Sequence, residues 1–223
     1  MTLLDYPGHV ACTVFLGGCD LRCPYCHNYE LADGSASPVM DDKAFLSFLQ
    51  TRRGLLDGVA ITGGEPCMRP ELASFVKDIR ALGFSVKLDT NGLHPELLQH
   101  LLEERLVDYV AMDIKNSPAK YAETAGTESV DLRLIRESIK LITTLAPSGE
   151  FRTTVVKELH DREDFEQIGE MIRGADNYYL QSFTDRDSVP FAGFHAPSVS
   201  ELQSYADIMS HYVKCVGLRG VDL

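Results

Sequence analysis

Three cysteines spaced Cys19-x-x-x-Cys23-x-x-Cys26, with Tyr25 immediately before the third and His27-Asn28 immediately after it, are the residues of this chain best suited to chemistry. Three thiolates on one short loop can hold three irons of a 4Fe-4S cluster and leave the fourth iron open to a small molecule. A fourth cysteine ligand would close the site and suit plain electron transfer. A Cys₃His zinc site made of Cys19, Cys23, Cys26 and His27 is the other reading of the spacing. Zinc sites usually draw on two separated ligand pairs, and no second CxxC or HxxxH pair is present. The spacing therefore favours the open cluster and keeps zinc as the alternative.

Further polar residues fall where apolar runs end. Thr62-Gly63-Gly64-Glu65-Pro66 offers two glycines that admit a close backbone approach, together with a carboxylate that can accept from an ammonium group. Its bland reading is a tight turn stopped by proline. Asp89-Thr90-Asn91-Gly92 and Asp113-Ile114-Lys115 end two later runs, so two carboxylates could meet and bind a cation or act as acid and base. Read blandly, the first of these is a turn with a capping side chain. Arg152 lies within a further run. Cys12, Cys67 and Cys215 read as small packing residues, with a redox or radical role the alternative for Cys67, which follows the GGEP stretch. His94, His100, His160, His195 and His211 share no metal-ligand spacing and read as capping or surface groups.

The elements that must position these residues follow from periodicity. Strands are expected at Val10 to Leu16, Val59 to Thr62, Phe84 to Asp89, Tyr109 to Ile114, about Phe151 to Val156, and Tyr178 to Phe183. Between and after them come helical patterns from Asp41 to near Gly54, Glu71 to Leu82, Pro95 to Glu104, Leu132 to Leu145, Asp161 to Arg173, and Ser200 to Tyr212. In the second of these helices Leu72, Phe75, Val76 and Ile79 share one side. Six βα units without hairpin turns predict an α/β fold with a parallel sheet and helices outside it, either doubly wound or curled into a barrel. In such a barrel, chemistry gathers at the C-terminal ends of strands, which is where the residues above fall. Ala32 to Pro38 and Asp185 to Pro197 are the long loops, each a lid or plain surface.

The 223 residues suffice for one core, so a single domain over 1–223 is expected. No apolar run approaches the ~20 residues of a membrane span, and the first residues lack the pattern of a signal peptide. A cytoplasmic protein with reduced thiols is expected. The formal charge of −12 disfavours sequence-independent binding to a nucleic acid backbone.

The cysteine motif, with an aromatic residue before its last cysteine, resembles the cluster motif of the radical S-adenosylmethionine superfamily, and Thr62 to Pro66 resembles that superfamily's GGE motif. The resemblance implies an open three-quarter (β/α)₆ barrel, a 4Fe-4S cluster on Cys19, Cys23 and Cys26, and S-adenosylmethionine held at its amino group by Gly63, Gly64 and Glu65. Tyr25 and Asn28, flanking the third cysteine, join the cofactor-binding candidates. Ala111 to Lys115 resembles the Asp-x-Lys segment of glycyl-radical activating enzymes. That likeness implies that Asp113 and Lys115 reach S-adenosylmethionine, with Arg152 a further candidate. It also implies that Asp89, Thr90 and Asp113 form a monovalent-cation site. The stretch from Leu3-Leu4-Asp5-Tyr6-Pro7-Gly8 through Cys26-His27-Asn28 resembles the activating proteins of anaerobic ribonucleoside-triphosphate reductase. The implied activity is reductive cleavage of S-adenosylmethionine to a 5′-deoxyadenosyl radical, which abstracts hydrogen from a glycine of the partner reductase. Flavodoxin or ferredoxin is the implied electron donor, with Arg22 a candidate for its docking face. The alternatives are activation of another glycyl-radical enzyme such as pyruvate formate-lyase, radical chemistry on a small metabolite, or a zinc-stabilised binding module.

Overall fold

Alternating β-branched runs and amphipathic helices put every strand of this chain parallel to its neighbours. The computed structural model describes residues 1–221. Its strands are β1 (Ala11–Leu16), β2 (Gly58–Gly63), β3 (Ser85–Thr90), β4 (Tyr109–Asp113), β5 (Gly149–Val155), β6 (Asn177–Ser182) and β7 (Cys215–Arg219). They form one sheet in sequence order. The helices are α1 (Tyr29–Asp33), α2 (Asp42–Gln50), α3 (Leu72–Ala81), α4 (Pro95–Glu103), α5 (Tyr121–Ala125), α6 (Leu132–Leu145), α7 (Arg162–Met171) and α8 (Val199–Met209). Among the described residues β1 and β7 do not pair, so the sheet stays open along one side.

The six expected strands and six expected helices are present, within a few residues at their ends, and β7 extends the sheet by one strand. It is short and interrupted by Gly217, which weakens a strand pattern. The glycine is required there, because a Cβ would lie 2.6 Å from Cε1 of Tyr179, whose ring also carries the Arg219 guanidinium 3.6 Å above it. Cys215, expected to pack, is exposed at the start of this strand. Cys12 and Cys67 are buried as expected.

Side-chain alternation gives the sheet two different faces. Val86, Leu88, Val110, Met112, Phe151, Val155, Tyr178 and Leu180 point outward into an apolar core shared with the helices. The buried stripe of α3, with Leu72, Phe75, Val76 and Ile79, is the one read from the sequence. The opposite, concave face is polar. Register sets Asp113 beside Arg152, Arg152 beside Tyr179, and Gln181 beside Arg219. Glu150 is 1 % exposed on this face and is held by Arg219 and by the Tyr109 hydroxyl, which donates to it at 2.6 Å.

The opening Leu-Leu-Asp-Tyr-Pro-Gly stretch closes the base of this concave face. Thr2 pairs antiparallel with Ala11, Asp5 accepts from the Thr13 hydroxyl at 2.6 Å, and Tyr6 is buried with its ring stacked on His9. A Cβ at Gly58 would lie 2.8 Å from the Tyr6 ring, so that glycine makes room for the tyrosine. Leu3 and Leu4 point outward and remain exposed.

Candidate active site

β1 delivers the chain to Gly17-Gly18 and the cysteine loop, which is anchored to several elements around it. The amides of Gly18 and Cys19 donate to the carbonyls of Leu31 and Ala32 in α1, and the Gly18 carbonyl accepts from the Glu65 amide at 2.8 Å. The Arg22 amide donates to the Ala125 carbonyl at the end of α5. Gly126, which follows, has φ +67° and sits so close that a Cβ would be 2.0 Å from the Arg22 carbonyl oxygen. The Asn28 side-chain amide donates to the Gly63 carbonyl at 3.2 Å, tying the motif to the end of β2. His27 lies flat on Phe183, with ring centroids 5.6 Å apart, and its Nε2 lies 2.6 Å from the Thr184 carbonyl.

Cys19, Cys23, Cys26, Tyr25 and Asn28 line one cleft, with a cavity volume of about 160 Å³, together with Gly63, Gly64, Asp113, Lys115 and Arg152. Burial pushes the Cys19 thiol up to about 11, against the Leu21 amide, which donates to its sulfur, and the nearby Lys115. Burial likewise raises Cys23. Desolvated thiols of this kind become thiolates when a metal takes the proton's place. The contact to Thr184 uses Nε2 alone and leaves Nδ1 outside that bond, so the Cys₃His alternative keeps its fourth ligand. A cluster spreads its thiolates over three irons and suits three cysteines around a shared cleft.

The GGE residues also do structural work. Gly63 has φ +118°, and a Cβ there would be 2.3 Å from the Leu16 carbonyl oxygen. At Gly64 it would be 2.0 Å from the Gly18 carbonyl oxygen. Both glycines are thus demanded by the crossing of β2 over the cysteine loop, while their backbones also line the cleft. Glu65 is 1 % exposed. Its carboxylate accepts from the Cys67 amide and the Thr90 hydroxyl, each at 2.9 Å, and from the Asn91 amide at 2.6 Å. Burial raises its pKa against these three donors. Its oxygens thus hold the end of β3 against the turn that follows β2.

Across the cleft runs a chain of paired charges. Lys115 donates to Asp113 at 3.0 Å, Arg152 donates to Asp113 at 2.5 Å and to Asp89 at 3.0 Å, and Lys87 pairs with Asp89. Burial works to raise Asp113, but Arg152 and Lys115 outweigh it and hold the carboxyl well below its usual range. Burial works to lower Lys115, and Asp113 more than offsets it. The two aspartates do meet, as their strand-end positions suggest, but the guanidinium of Arg152 lies between them. Thr90 faces Glu65 instead. Asp89 and Asp113 thus pair with protein cations, and both line the cleft together with Thr90.

Several contributors carry no motif. Asn91 donates to Asp20 at 2.7 Å, and Asp20 in turn pairs with His94 at 2.9 Å, beside Cys19. The His94 pKa is raised by its hydrogen bond to Asp20. His160, expected as a capping or surface group, is buried and donates to the Lys115 carbonyl at 2.9 Å through Nε2. Its Nδ1 accepts from the Val156 amide, and burial lowers its pKa, so it sits as a neutral brace behind Lys115. Proximity of Asp20 to Cys19, one residue apart, was the available signal for the first group. Nothing local marked His160.

Comparison with known proteins places the chain among others. The family model described as "Radical SAM superfamily" matches residues 13–172. The protein named "Putative glycyl-radical enzyme activating enzyme MJ1227", of Methanocaldococcus jannaschii, is 31 % identical over 233 residues, covering 100 % of this chain and 94 % of its own. The pyruvate formate-lyase-activating enzyme of Clostridium pasteurianum is 32 % identical over 52 % of this chain and 50 % of its own length. Among solved structures, Streptococcus suis SuiB bound to S-adenosylmethionine superposes with a TM-score of 0.74 at 14 % identity, over 95 % of this chain. The chain spans 50 % of SuiB, and the likeness is one of fold.

Proposed function

From the chain's membership of the radical S-adenosylmethionine superfamily, among the glycyl-radical enzyme activating enzymes, we propose that it activates anaerobic ribonucleoside-triphosphate reductase. The carrying observation is the gathering of Cys19, Cys23 and Cys26 in one cleft with the backbone of Gly63-Gly64 and the Asp113, Lys115 and Arg152 side chains. These residues fit the two cofactors of the superfamily. When bound, they supply one-electron cleavage of S-adenosylmethionine to methionine and a 5′-deoxyadenosyl radical, which takes a hydrogen atom from a glycine.

The chain's own residues bind and orient. The three thiolates hold the cluster and provide no fourth ligand. Strand-end carbonyls near Gly63-Gly64 and the ionised Asp113 offer acceptors to the ammonium group and hydroxyls of S-adenosylmethionine, while Lys115 and Arg152 offer positive charge to its carboxylate. Glu65 keeps the end of β3 in place, and His160 braces Lys115. Tyr25, Leu21 and Ala32 give the cleft an apolar wall that limits water.

The reductase as partner is supported by the Leu-Leu-Asp-Tyr-Pro-Gly opening, which resembles that group of activases. A flavodoxin or ferredoxin donor and a cytoplasmic setting follow from the same resemblance. Among the described residues no helix is long and apolar enough to cross a membrane. The test is anaerobic electron paramagnetic resonance of the reconstituted, reduced protein with S-adenosylmethionine and the host's anaerobic reductase. A glycyl-radical doublet on the reductase is expected. No doublet, with 5′-deoxyadenosine still formed, would refute this partner and direct the search to another glycyl-radical enzyme or a metabolite.

A further inference from the structure

Tyr121, the first residue of α5, is 1 % exposed, and its hydroxyl is the one buried side-chain polar atom without a hydrogen-bond partner among the described residues. A hydroxyl left unpaired in a protein interior costs about 1–3 kcal/mol, and native structures keep few of them. Its polar neighbours are Lys115, Asp113, Cys23 and Tyr25. The Lys115 amide and ammonium groups can only donate, so what the hydroxyl lacks is an acceptor for its own proton. Each Asp113 oxygen already accepts one hydrogen bond, from Arg152 or from Lys115. The sulfur of Cys23 is the acceptor among them that gains negative charge when a cluster takes its proton's place.

The placement of α5 against that sulfur is fixed by backbone contacts. The Ala125 carbonyl accepts from the Arg22 amide at 3.0 Å, and Gly126 packs so tightly on Arg22 and Cys23 that only a glycine fits. As a thiol, Cys23 is a weak acceptor, whereas as a thiolate bound to iron it is an anionic one, to which a hydroxyl makes a short, strong bond.

We propose that the Tyr121 hydroxyl is a hydrogen-bond donor reserved for the Cys23 thiolate of the cluster-loaded protein, where it raises the cluster's reduction potential. The inference rests on the reading of Cys19, Cys23 and Cys26 as cluster ligands. Hydrogen bonds to cluster sulfurs withdraw charge and favour the reduced state, which tunes potentials across the many proteins that hold such clusters. In this chain the effect eases the electron transfer that cleavage requires.

The experiment compares wild type with Tyr121→Phe, which keeps the ring and removes the hydroxyl. Both proteins are reconstituted with iron and sulfide and titrated anaerobically, the reduced cluster being read by electron paramagnetic resonance. The expected result is a roughly tenfold smaller equilibrium constant for cluster reduction in the variant, a midpoint about 59 mV more negative. In the cluster-free proteins the variant is expected to melt no lower than wild type, since it loses a group that has no partner. An unchanged midpoint would overturn the proposal. So would a cluster-free variant that melts well below wild type, because the hydroxyl would then already have a partner. Failure of both proteins to form a cluster would overturn the ligand reading, and this inference with it.

Discussion

Replacing Glu65 by glutamine distinguishes a residue that holds the site together from one that grips S-adenosylmethionine. The carboxylate is 1 % exposed and accepts three hydrogen bonds, two at Oε1 and the 2.6 Å bond from the Asn91 amide at Oε2. Glutamine has the same shape but only one acceptor oxygen. If that oxygen keeps Cys67 and Thr90, the new NH₂ group faces the Asn91 N–H, and two donors oppose each other. The loss of a charge-assisted bond costs about 1.5–3 kcal/mol, and a buried unsatisfied donor about 1–3 kcal/mol. Part of this is offset because a neutral amide is cheaper to bury than a carboxylate, the same burial that raises the Glu65 pKa. A net loss of roughly 2–4 kcal/mol remains, which for a chain of this size lowers Tm by about 5–15 °C. Thermal melting of the cluster-free protein by circular dichroism measures it, and S-adenosylmethionine affinity of the loaded variant is measured where both proteins are folded. A variant that melts within a degree or two of wild type yet binds S-adenosylmethionine more than tenfold more weakly would refute the reasoning and make Glu65 a direct ligand.

Gly126→Ala places a side chain at φ +67° and within 2.0 Å of a backbone oxygen of the cysteine loop. Conformational strain alone is about 1–2 kcal/mol, and the iron content after reconstitution should fall with it; full iron incorporation would contradict the role given to α5. His160→Gln removes the brace behind Lys115 and should destabilise the cluster-free protein by about 1–3 kcal/mol at pH 8. Because burial holds the His160 pKa below its ordinary 6.5, the unfolded chain binds its proton more tightly. The wild-type contribution is therefore complete above about pH 6.5 and declines as pH falls toward the lowered value. The stability gap between the two proteins should narrow on acidification, and a gap constant from pH 8 to pH 5 would be evidence against a buried neutral imidazole. Arg152→Gln withdraws the guanidinium from between Asp89 and Asp113. Its melting temperature should become sensitive to sodium or potassium while wild type is indifferent; equal sensitivity in wild type would show that a cation site exists beside the arginine.

Long amphipathic stretches made most of the fold legible, because the buried stripe of α3 or the apolar core of β4 repeats over enough residues to declare its period. Short elements escaped. β7 has five residues and a central glycine dictated by Tyr179, and α1 and α5 have five residues each, too few to show a period. The ligand-bearing loop was legible because metal ligation needs particular atoms at particular spacing. The roles around it were not, since they depend on which residues three-dimensional packing brings near. Glu65 reads identically whether its carboxylate faces a cofactor or the Asn91 amide. Arg152 and Asp89 are 63 residues apart in the chain, and only the strand register reveals that they bridge. The polar identity of the barrel's inner face was present in the alternation of Ser85 to Thr90, where lysine and aspartate alternate with valine and leucine. That alternation is visible only once the strand is known to have one face on the core and one on a cleft.

The most direct test of the three-thiolate site is the electron paramagnetic resonance spectrum of the reconstituted, reduced protein recorded before and after S-adenosylmethionine is added. A cluster with one open iron predicts a 4Fe-4S signal whose g-values change on addition, and loss of that signal when Cys19, Cys23 or Cys26 is replaced by alanine. A spectrum indifferent to S-adenosylmethionine, or a colourless protein that binds zinc in its place, would contradict it.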